Sequence, residues 1–415
     1  MRLFAVLYCY PPLLTPATMC YLKLLAGLRA MGHTADALAV DVGSYHGPMG
    51  NYTDLSLLQL VPEGVGVHTV RSWERHPLMK MLKDIEIGRR LLYPLFEPQK
   101  KEWYFPAVRR LKRQDLRGYD AIISCSQPHA NHLIGERLKK LTGKPWIAYL
   151  SDPWTDNPWG EYRSKRIRAY NLALERSVIE KADAVLFTSE ETLALVMKKY
   201  PDRLSTKCGV LPHCYVPEWY RLGASRGRDG GGRTRILHTG HFYGLRSPMP
   251  VFAALEALSR ETDLAERAEL LFFGTMEARY REFVRERKLD RVIRIMETVP
   301  YLDALSMMLS SDYLLLVDAP LKNTAESVFL PSKLIDYLGS FRPVIGITPS
   351  RGTSAKVLKE TGGACCAIED DRAVRRTLRE ALDRSLAAAP VRSAVEQYDY
   401  RTVAQKLNSL LKEMI

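Results

Sequence analysis

Short apolar runs alternate with amphipathic stretches along most of this 415-residue chain. In the first half, helical periodicity covers residues 19–31 and 162–181. Continuous apolar runs typical of strands buried on both faces occur at residues 3–8, 36–40, 121–124, 146–150 and 184–188. Strands that alternate with helices form parallel sheets with right-handed crossovers. The pattern therefore predicts an α/β fold.

The second half repeats this order. Its apolar runs lie at residues 236–239, 269–273, 292–296, 313–317 and 344–347, and its helical patterns at 276–287 and 303–309. Between the halves, residues 223–234 read GASRGRDGGGRT, a composition typical of a flexible connection. We predict two Rossmann-like doubly wound domains facing a central cleft, with ligands bound at the strand carboxyl ends. The predicted parts are residues 1–222, residues 223–395 and a closing helix at 396–415.

The net charge, the cysteines and the length of the apolar runs restrict which ligands and which cellular compartment are expected. The formal net charge is +13 and the pI is near 9.3, which favours anionic partners. The sequence has no zinc-finger spacing, terminal charge run or RNA-binding aromatic signature, so nucleic acid is not the expected ligand. Seven cysteines without a Cys-x-x-Cys pair indicate free thiols in a reducing cytoplasm. No apolar run approaches the ~18 residues of a spanning helix.

Residues 80–117 have a different character, with eleven Lys or Arg against five Asp or Glu, a net of +6 (11 − 5). Large apolar residues are interleaved with these charges, namely Leu91, Leu92, Tyr93, Leu95, Phe96, Trp103, Tyr104 and Phe105. Basic residues mixed with aromatics favour an anionic membrane surface as partner, which would make the protein peripheral at the inner face of a membrane. The alternative is a solvated helix pair with its apolar side on the core.

Common nucleotide-binding and metal-binding motifs are missing. The sequence has no Gly-x-Gly-x-x-Gly after a strand, no Walker A loop, no Asp-x-Asp and no His-Glu-x-x-His. A diphosphate would then be held by basic side chains and helix N-termini, and no metal is expected.

One candidate anion site lies at residues 237–248, where a predicted strand ends in a loop that contains Gly240. Arg246 stands just before Pro248, which is suited to the start of a helix. The fork of donors on an arginine there can bind a diphosphate. The alternative is a solvated arginine in an ordinary loop.

A second candidate lies at residues 329–339. Pro331 suits the first helical position, and Ser332 and Lys333 follow in the first turn. The charge of Lys333 opposes the helix dipole, a conflict that a bound anion would resolve. Asp336 lies three residues further on the same face, where it can bind a ribose diol. The alternative for this pair is a simple surface ion pair.

Two candidates in the first half follow predicted strands. In residues 119–135 a strand and a turn lead into a helix, whose first turns contain His132. A helix N-terminus lowers an imidazole pKa and keeps the ring neutral. Asp152 follows the strand at 146–150 and is either a substrate contact or a turn residue. His132 and Asp152 are the candidate catalytic residues.

Together these segments resemble the family 4 glycosyltransferases, retaining enzymes of GT-B fold. The strongest likeness is residues 331–338 leading into 343–345, which is similar to the donor motif P-S-K-x-x-E-Y-L … P-V-I. Residues 119–135, 143–146 and 152–154 resemble the acceptor-side half, 302–316 the helix and strand before the donor loop, and 398–411 the closing helix.

The resemblance implies that the first domain binds an acceptor and the second a nucleotide diphosphate sugar. Lys333 and Arg246 would neutralise the diphosphate without a metal, and Asp336 would contact the ribose. His132 would lie near the reacting carbon of the sugar. Transfer would retain configuration, by front-face attack of the acceptor hydroxyl. The expected acceptor is a sugar or a lipid-linked sugar of cell-envelope or surface polysaccharide assembly.

The sequence also departs from the family pattern. Val328 stands where the family has an acidic residue, and Glu326 fits that role only with a two-residue shift. His241 occupies the position of a family Arg, and Arg246 is one place early for a family Lys. Two alternatives stay open. A sugar-nucleotide epimerase of the same fold would need additional acid/base carboxylates, which we do not locate in the sequence. A catalytically silent scaffold protein is supported only by the altered acidic motif.

Overall fold

The computed structural model describes residues 1–46, 52–158, 160–223, 232–242, 244–319 and 326–415. The chain divides into two compact units. Unit 1 comprises Met1–His213 together with Tyr400–Ile415, and unit 2 comprises Cys214–Asp399.

Unit 1 is built on a seven-stranded sheet in which every pairing is parallel. Its strands are β1 (Arg2–Tyr8), β2 (Thr34–Val40), β3 (Val67–Val70), β4 (Ala121–Cys125), β5 (Trp146–Leu150), β6 (Ala184–Phe187) and β7 (Cys208–Val210). The order β3-β2-β1-β4-β5-β6-β7 is that of a doubly wound fold. The helices are α1 (Pro16–Ala30), α2 (Pro77–Asp84), α3 (Glu86–Leu91), α4 (Tyr93–Phe96), α5 (Lys101–Leu111), α6 (Ala130–Thr142), α7 (Lys165–Lys181) and α8 (Glu190–Met197).

Unit 2 has a six-stranded parallel sheet of order β10-β9-β8-β11-β13-β15 and a small pair, β12 with β14. The strands are β8 (Thr234–Thr239), β9 (Ala268–Phe273), β10 (Ile293–Met296), β11 (Tyr313–Val317), β12 (Glu326–Ser327), β13 (Val344–Thr348), β14 (Arg351–Gly352) and β15 (Ala364–Ala367). The helices are α9 (Met249–Ser259), α10 (Ala278–Glu286), α11 (Tyr301–Leu309), α12 (Ser332–Gly339), α13 (Thr353–Thr361), α14 (Asp371–Leu382) and α15 (Arg392–Val395). The last helix, α16 (Tyr400–Met414), belongs to unit 1.

Burial explains which strands the sequence pattern detects. Each strand predicted from an apolar run is present within two residues at either end. The strands that the pattern missed include β3, β7 and β15, which all lie at sheet edges. In β3 the reason is visible, because its residues are mostly exposed or half-buried and read VHTV, without a continuous apolar run.

The division between the units differs from the predicted boundaries. It falls after His213, whereas the prediction put it after residue 222, and residues 224–231 of the predicted connection lie outside the described residues. Trp219 and Tyr220 are buried, and the Tyr220 hydroxyl donates to the Asp336 carbonyl at 2.6 Å, so this segment packs on unit 2. At the other end, residues 396–399 belong to unit 2 and only α16 returns to unit 1.

The basic segment 80–117 forms α2 to α5 and the turns around them. Its aromatic residues Phe96 and Trp103 are buried. Helix α5 has the arrangement of the alternative, a solvated helix with its apolar side on the core, since Trp103, Ala107 and Leu111 face inward. Within the described ranges, no helix has both the length and the apolar character needed to cross a bilayer.

Candidate functional site

Lys333 reaches the carboxyl end of a neighbouring strand. Helix α12 begins directly after Pro331, whose extended backbone forms the N-cap. From the first turn, the ammonium of Lys333 extends to β8, where its Nζ lies 3.5 Å from Nε2 of His238. A Cβ on Gly240 would lie 2.5 Å from the same Nζ. A side chain at position 240 would therefore displace this ammonium.

His238 is a neutral partner for that ammonium. The ring is buried, and its Nδ1 lies 2.9 Å from the carbonyl oxygen of Leu315, which can only accept. Nδ1 must then carry the proton, so Nε2 presents a lone pair towards Lys333. Burial and the charge of Lys333 hold the pKa of His238 well below its usual range. The imidazole therefore adds no positive charge beside Lys333.

The electrostatic setting lowers the pKa of Lys333 to about 7. Burial is the main cause, because it disfavours the charged amine, and the nearby guanidinium of Arg246 acts in the same direction. Asp318 opposes both effects. An anion bound at this lysine would add a second opposing charge and favour the protonated form.

Arg246 is held by a fully buried carboxylate. Its Nη2 and Nε lie 3.3 and 3.4 Å from Oδ1 of Asp318. Asp318 also accepts from the hydroxyls of Ser327 and Ser354, at 3.0 and 2.9 Å. Two cationic side chains thus face one carboxylate, which leaves an excess of positive charge at the carboxyl edge of the unit 2 sheet when Lys333 is protonated.

Two glycines shape the loops beside these cations. Gly240 and Gly274 follow β8 and β9 with φ of +110° and +134°, a region that side-chain-bearing residues rarely adopt. A Cβ on Gly274 would lie 2.5 Å from the Gly240 carbonyl oxygen. The Tyr337 hydroxyl of α12 accepts from the Thr239 amide at 2.8 Å, which fixes the helix against the end of β8. The start of α12, which carries the lysine, is therefore held against the end of β8.

A second polar cluster lies at the carboxyl edge of the unit 1 sheet. His132, in the first turn of α6, is fully buried, and its Nδ1 lies 2.9 Å from Oγ of Ser124 on β4. That Oγ also accepts from the indole N–H of Trp146 at 2.8 Å. The hydroxyl proton of Ser124 is then available to Nδ1, which puts the ring proton of His132 on Nε2. Burial keeps the pKa of His132 well below its usual range.

Nε2 of His132 is buried without a hydrogen-bond partner among the described residues. Nearby, the His129 ring stacks on Trp154 with centroids 4.6 Å apart, and burial lowers the pKa of His129 to about 3. Asp152 follows β5, and its Oδ2 accepts from Gln127 at 3.2 Å and from Ser151 at 3.3 Å. This edge thus combines a neutral imidazole donor with a solvent-accessible carboxylate.

Residues 17–205 match the family described as glycosyl transferase 4-like domain. The similarity to this family therefore lies within unit 1. No curated protein sequence matches the chain.

Solved structures extend the likeness to the whole chain. Sucrose-phosphate synthase from Thermosynechococcus elongatus is 13% identical with a TM-score of 0.69, and the match covers 99% of this chain and 98% of that one. Anabaena HepE in complex with UDP-glucose is 12% identical with a TM-score of 0.62 and full coverage of both chains (100%). WaaG, a glycosyltransferase involved in lipopolysaccharide biosynthesis, is 16% identical with a TM-score of 0.62 and covers 99% of each chain. The chain therefore has the GT-B fold, and family and fold together support a glycosyltransferase.

The candidate residues of the glycosyl transferase 4-like domain, His132 and Asp152, follow the adjacent strands β4 and β5. In unit 2, Gly240, Arg246 and Lys333 lie in one cluster. Ser332 is the first residue of α12.

Asp336 and Glu326 make contacts that differ from those of Lys333. The buried Asp336 carboxylate accepts from the Tyr301 hydroxyl at 3.1 Å, on a different element from the one Lys333 contacts. Glu326 is exposed in β12, which pairs with β14, and residues 320–325 before it lie outside the described residues. Their contacts with ribose and sugar remain predictions.

Sequence reasoning missed Asp318 and His238. Asp318 directly follows β11 and His238 is the last residue but one of β8, so both stand at strand carboxyl ends. The same rule that singled out Gly240 would have found Asp318. Ser354, which donates to Asp318, lies in the first turn of α13, far along the chain, and gave no sequence signal.

Proposed function

We propose that this protein is a retaining glycosyltransferase that moves a hexose from a nucleotide diphosphate sugar to an acceptor hydroxyl, without a metal. The observation that carries the proposal is the cluster of Arg246 and Lys333 beside Gly240. It combines excess positive charge, a helix N-terminus and a glycine that lets the lysine approach the backbone. These are the features that a diphosphate requires.

In the proposed reaction, the bond from the anomeric carbon to the diphosphate oxygen breaks, and its electron pair stays on that oxygen. Arg246 and Lys333 stabilise the developing charge, which is the part that a metal plays in other enzymes. The acceptor oxygen forms the new bond on the same face of the sugar. The proton of the acceptor hydroxyl passes to the departing diphosphate.

The acceptor side is proposed to use the glycosyl transferase 4-like domain. A neutral His132 whose ring proton lies on Nε2 is suited to donate to a sugar hydroxyl or to the developing charge near it. Asp152 would accept from an acceptor hydroxyl. The likeness to WaaG, together with the basic segment 80–117, supports a lipid-linked acceptor in envelope or surface polysaccharide assembly at the inner face of a membrane.

The decisive experiment is thermal stabilisation by UDP, GDP, ADP and their sugar conjugates in metal-free buffer. A ligand at 100 times its dissociation constant stabilises the folded protein by ~2.7 kcal/mol, a readable shift in Tm. We expect one nucleotide to stabilise the wild type and to lose this effect in Lys333→Met. Lys359→Met, which removes an exposed lysine of the same unit, should keep it.

The outcomes separate the alternatives. Stabilisation by no nucleotide, or equal stabilisation of Lys333→Met, would refute the donor site. If a nucleotide sugar binds, turnover then decides: an epimerase converts the nucleotide sugar with no acceptor present, whereas a scaffold protein binds it without conversion under any condition. Release of the free nucleotide diphosphate only when an acceptor is added is the result expected of a transferase.

A further inference from the structure

Five large aliphatic side chains are exposed on two short consecutive helices of unit 1. Leu78 and Met81 of α2 are 52% and 50% exposed, and Ile85, between the helices, is 47% exposed. On α3, Ile87 and Leu91 are 69% and 70% exposed. Soluble proteins rarely expose so many apolar groups within one short segment unless they bind something there. We call these five residues the α2–α3 surface.

The spacing of these residues makes each helix amphipathic. Leu78 and Met81 of α2 are three residues apart, and Ile87 and Leu91 of α3 are four residues apart, so each pair lies along one helix face. Neither α2 nor α3 contains a fully buried residue. These helices thus lie on the outside of unit 1 and turn apolar groups towards solvent.

The charges around the α2–α3 surface point to an anionic partner. Lys80 and Arg90 are exposed, whereas Lys83 is paired with the buried Glu102. Asp84 and Glu86, the exposed acids of the two helices, balance these two bases, and the exposed Arg75 just before α2 gives the surface a basic surplus. The chain as a whole carries +13, so two copies repel each other while an anionic surface attracts the protein.

Trp73, just before α2, is 39% exposed and stacks on Phe105 with ring centroids 5.9 Å apart. A half-exposed tryptophan beside aliphatic and basic side chains is the composition of helices that lie in a membrane interface. In contrast, Phe96 and Trp103, which belong to the aromatic set of the basic segment, are buried. The aliphatic groups, and not those aromatics, are available for contact.

We propose that the α2–α3 surface docks on an anionic lipid bilayer. Ile87 and Leu91 enter the boundary between headgroups and acyl chains, and Lys80 and Arg90 contact lipid phosphates. This narrows the membrane contact from residues 80–117 to the two helices before α4. Docking requires no sugar transfer, so it is tested without any substrate and can fail or succeed independently of the enzymatic proposal.

The experiment is co-sedimentation of the full chain with phosphatidylcholine vesicles, with and without phosphatidylglycerol, at low and physiological salt. We expect binding only to the anionic vesicles, weakened by salt. Ile87→Ser/Leu91→Ser should weaken binding at least about tenfold, because the variant loses the two aliphatic groups that enter the bilayer. Lys80→Gln/Arg90→Gln should also weaken it and reduce its salt dependence.

The matched control is Leu55→Ser/Val391→Ser, which removes exposed aliphatic groups from other segments and should bind like the wild type. Far-ultraviolet circular dichroism checks that every variant is folded. The proposal is overturned if the wild type ignores anionic vesicles, or if Ile87→Ser/Leu91→Ser binds as well as the control. It is also overturned if sedimentation shows a wild-type dimer that this variant dissolves, since the surface would then join two copies of the chain.

Discussion

At the scale of single residues, Lys333 combines three properties that are individually common. Its amine is buried enough to lower its pKa, it lies near a second cation, and it faces the lone pair of a neutral His238. The sequence identified the lysine but not the imidazole beside it. The consequence is that anion binding and protonation of Lys333 are coupled.

Nucleotide binding should therefore depend on pH. The free protein has a Lys333 pKa of about 7, and a bound diphosphate raises it, so binding takes up a proton between the two values. Affinity should fall as the pH rises from about 7 to 9, by at most about tenfold per unit. Titration calorimetry in two buffers of different ionisation enthalpy measures the uptake directly.

Lys333→Arg is the control for this coupling. A guanidinium stays protonated throughout that range, so the variant should bind with little proton uptake even if its affinity is lower. Equal uptake by wild type and Lys333→Arg would assign the proton to another group.

At the scale of elements, the position of α16 is the least expected feature. The helix lies at the end of the chain, yet it packs on α1 near the start. Gly27 makes the approach close, because a Cβ there would lie 2.8 Å from that of Ala404. The ring of His33 adds a hydrogen bond of 2.9 Å to Asn408. The helix is thus part of the core of unit 1.

Leucines of α16 offer a matched pair of variants. Leu407 is buried and Leu410, on the same helix, is partly exposed. Leu407→Ala should lower the free energy of unfolding of unit 1 by about 2–5 kcal/mol, because it leaves a cavity against α1. Leu410→Ala should cost less than about 1 kcal/mol. Chemical denaturation monitored by circular dichroism measures both, and similar losses would contradict the packing of α16.

At the scale of the whole molecule, the two units differ in how many segments of the chain form them. Unit 2 is one continuous segment, Cys214–Asp399, whereas unit 1 is assembled from both ends. The contacts described for Lys333, His238, Gly240 and Arg246 all lie within unit 2. Folding of the donor cluster should therefore not require unit 1.

A fragment of residues 214–399 should fold by itself and bind the same nucleotide with similar affinity. A fragment of residues 1–213 should be unstable, because the face of α1 that packs on α16 is exposed to water. Adding residues 400–415 through a flexible linker should restore cooperative unfolding. A folded 1–213 fragment, or a 214–399 fragment that does not bind, would show that the units depend on each other differently.

The sequence predicted most of the interior of each sheet, because strands buried on both faces must be apolar throughout. The pattern missed edge strands such as β3 and β7 because their residues are not buried on both faces. The same limit applied to the site. Gly240, Arg246 and Lys333 stand in recognisable loop and helix-start patterns, whereas the network of Asp318, Ser327 and Ser354 joins three distant segments.

The sequence by itself determined the α/β class, the doubled order of strands and helices, and the two basic side chains suited to a diphosphate. It did so because periodicity, glycine placement and helix-start signals are local properties of the chain. Only the tertiary structure decided that Lys333 faces a neutral imidazole, that the last helix completes unit 1, and that Phe96 and Trp103 are buried while Ile87 and Leu91 are exposed. These features depend on which distant residues meet, and no local pattern encodes the partner of a buried or exposed side chain.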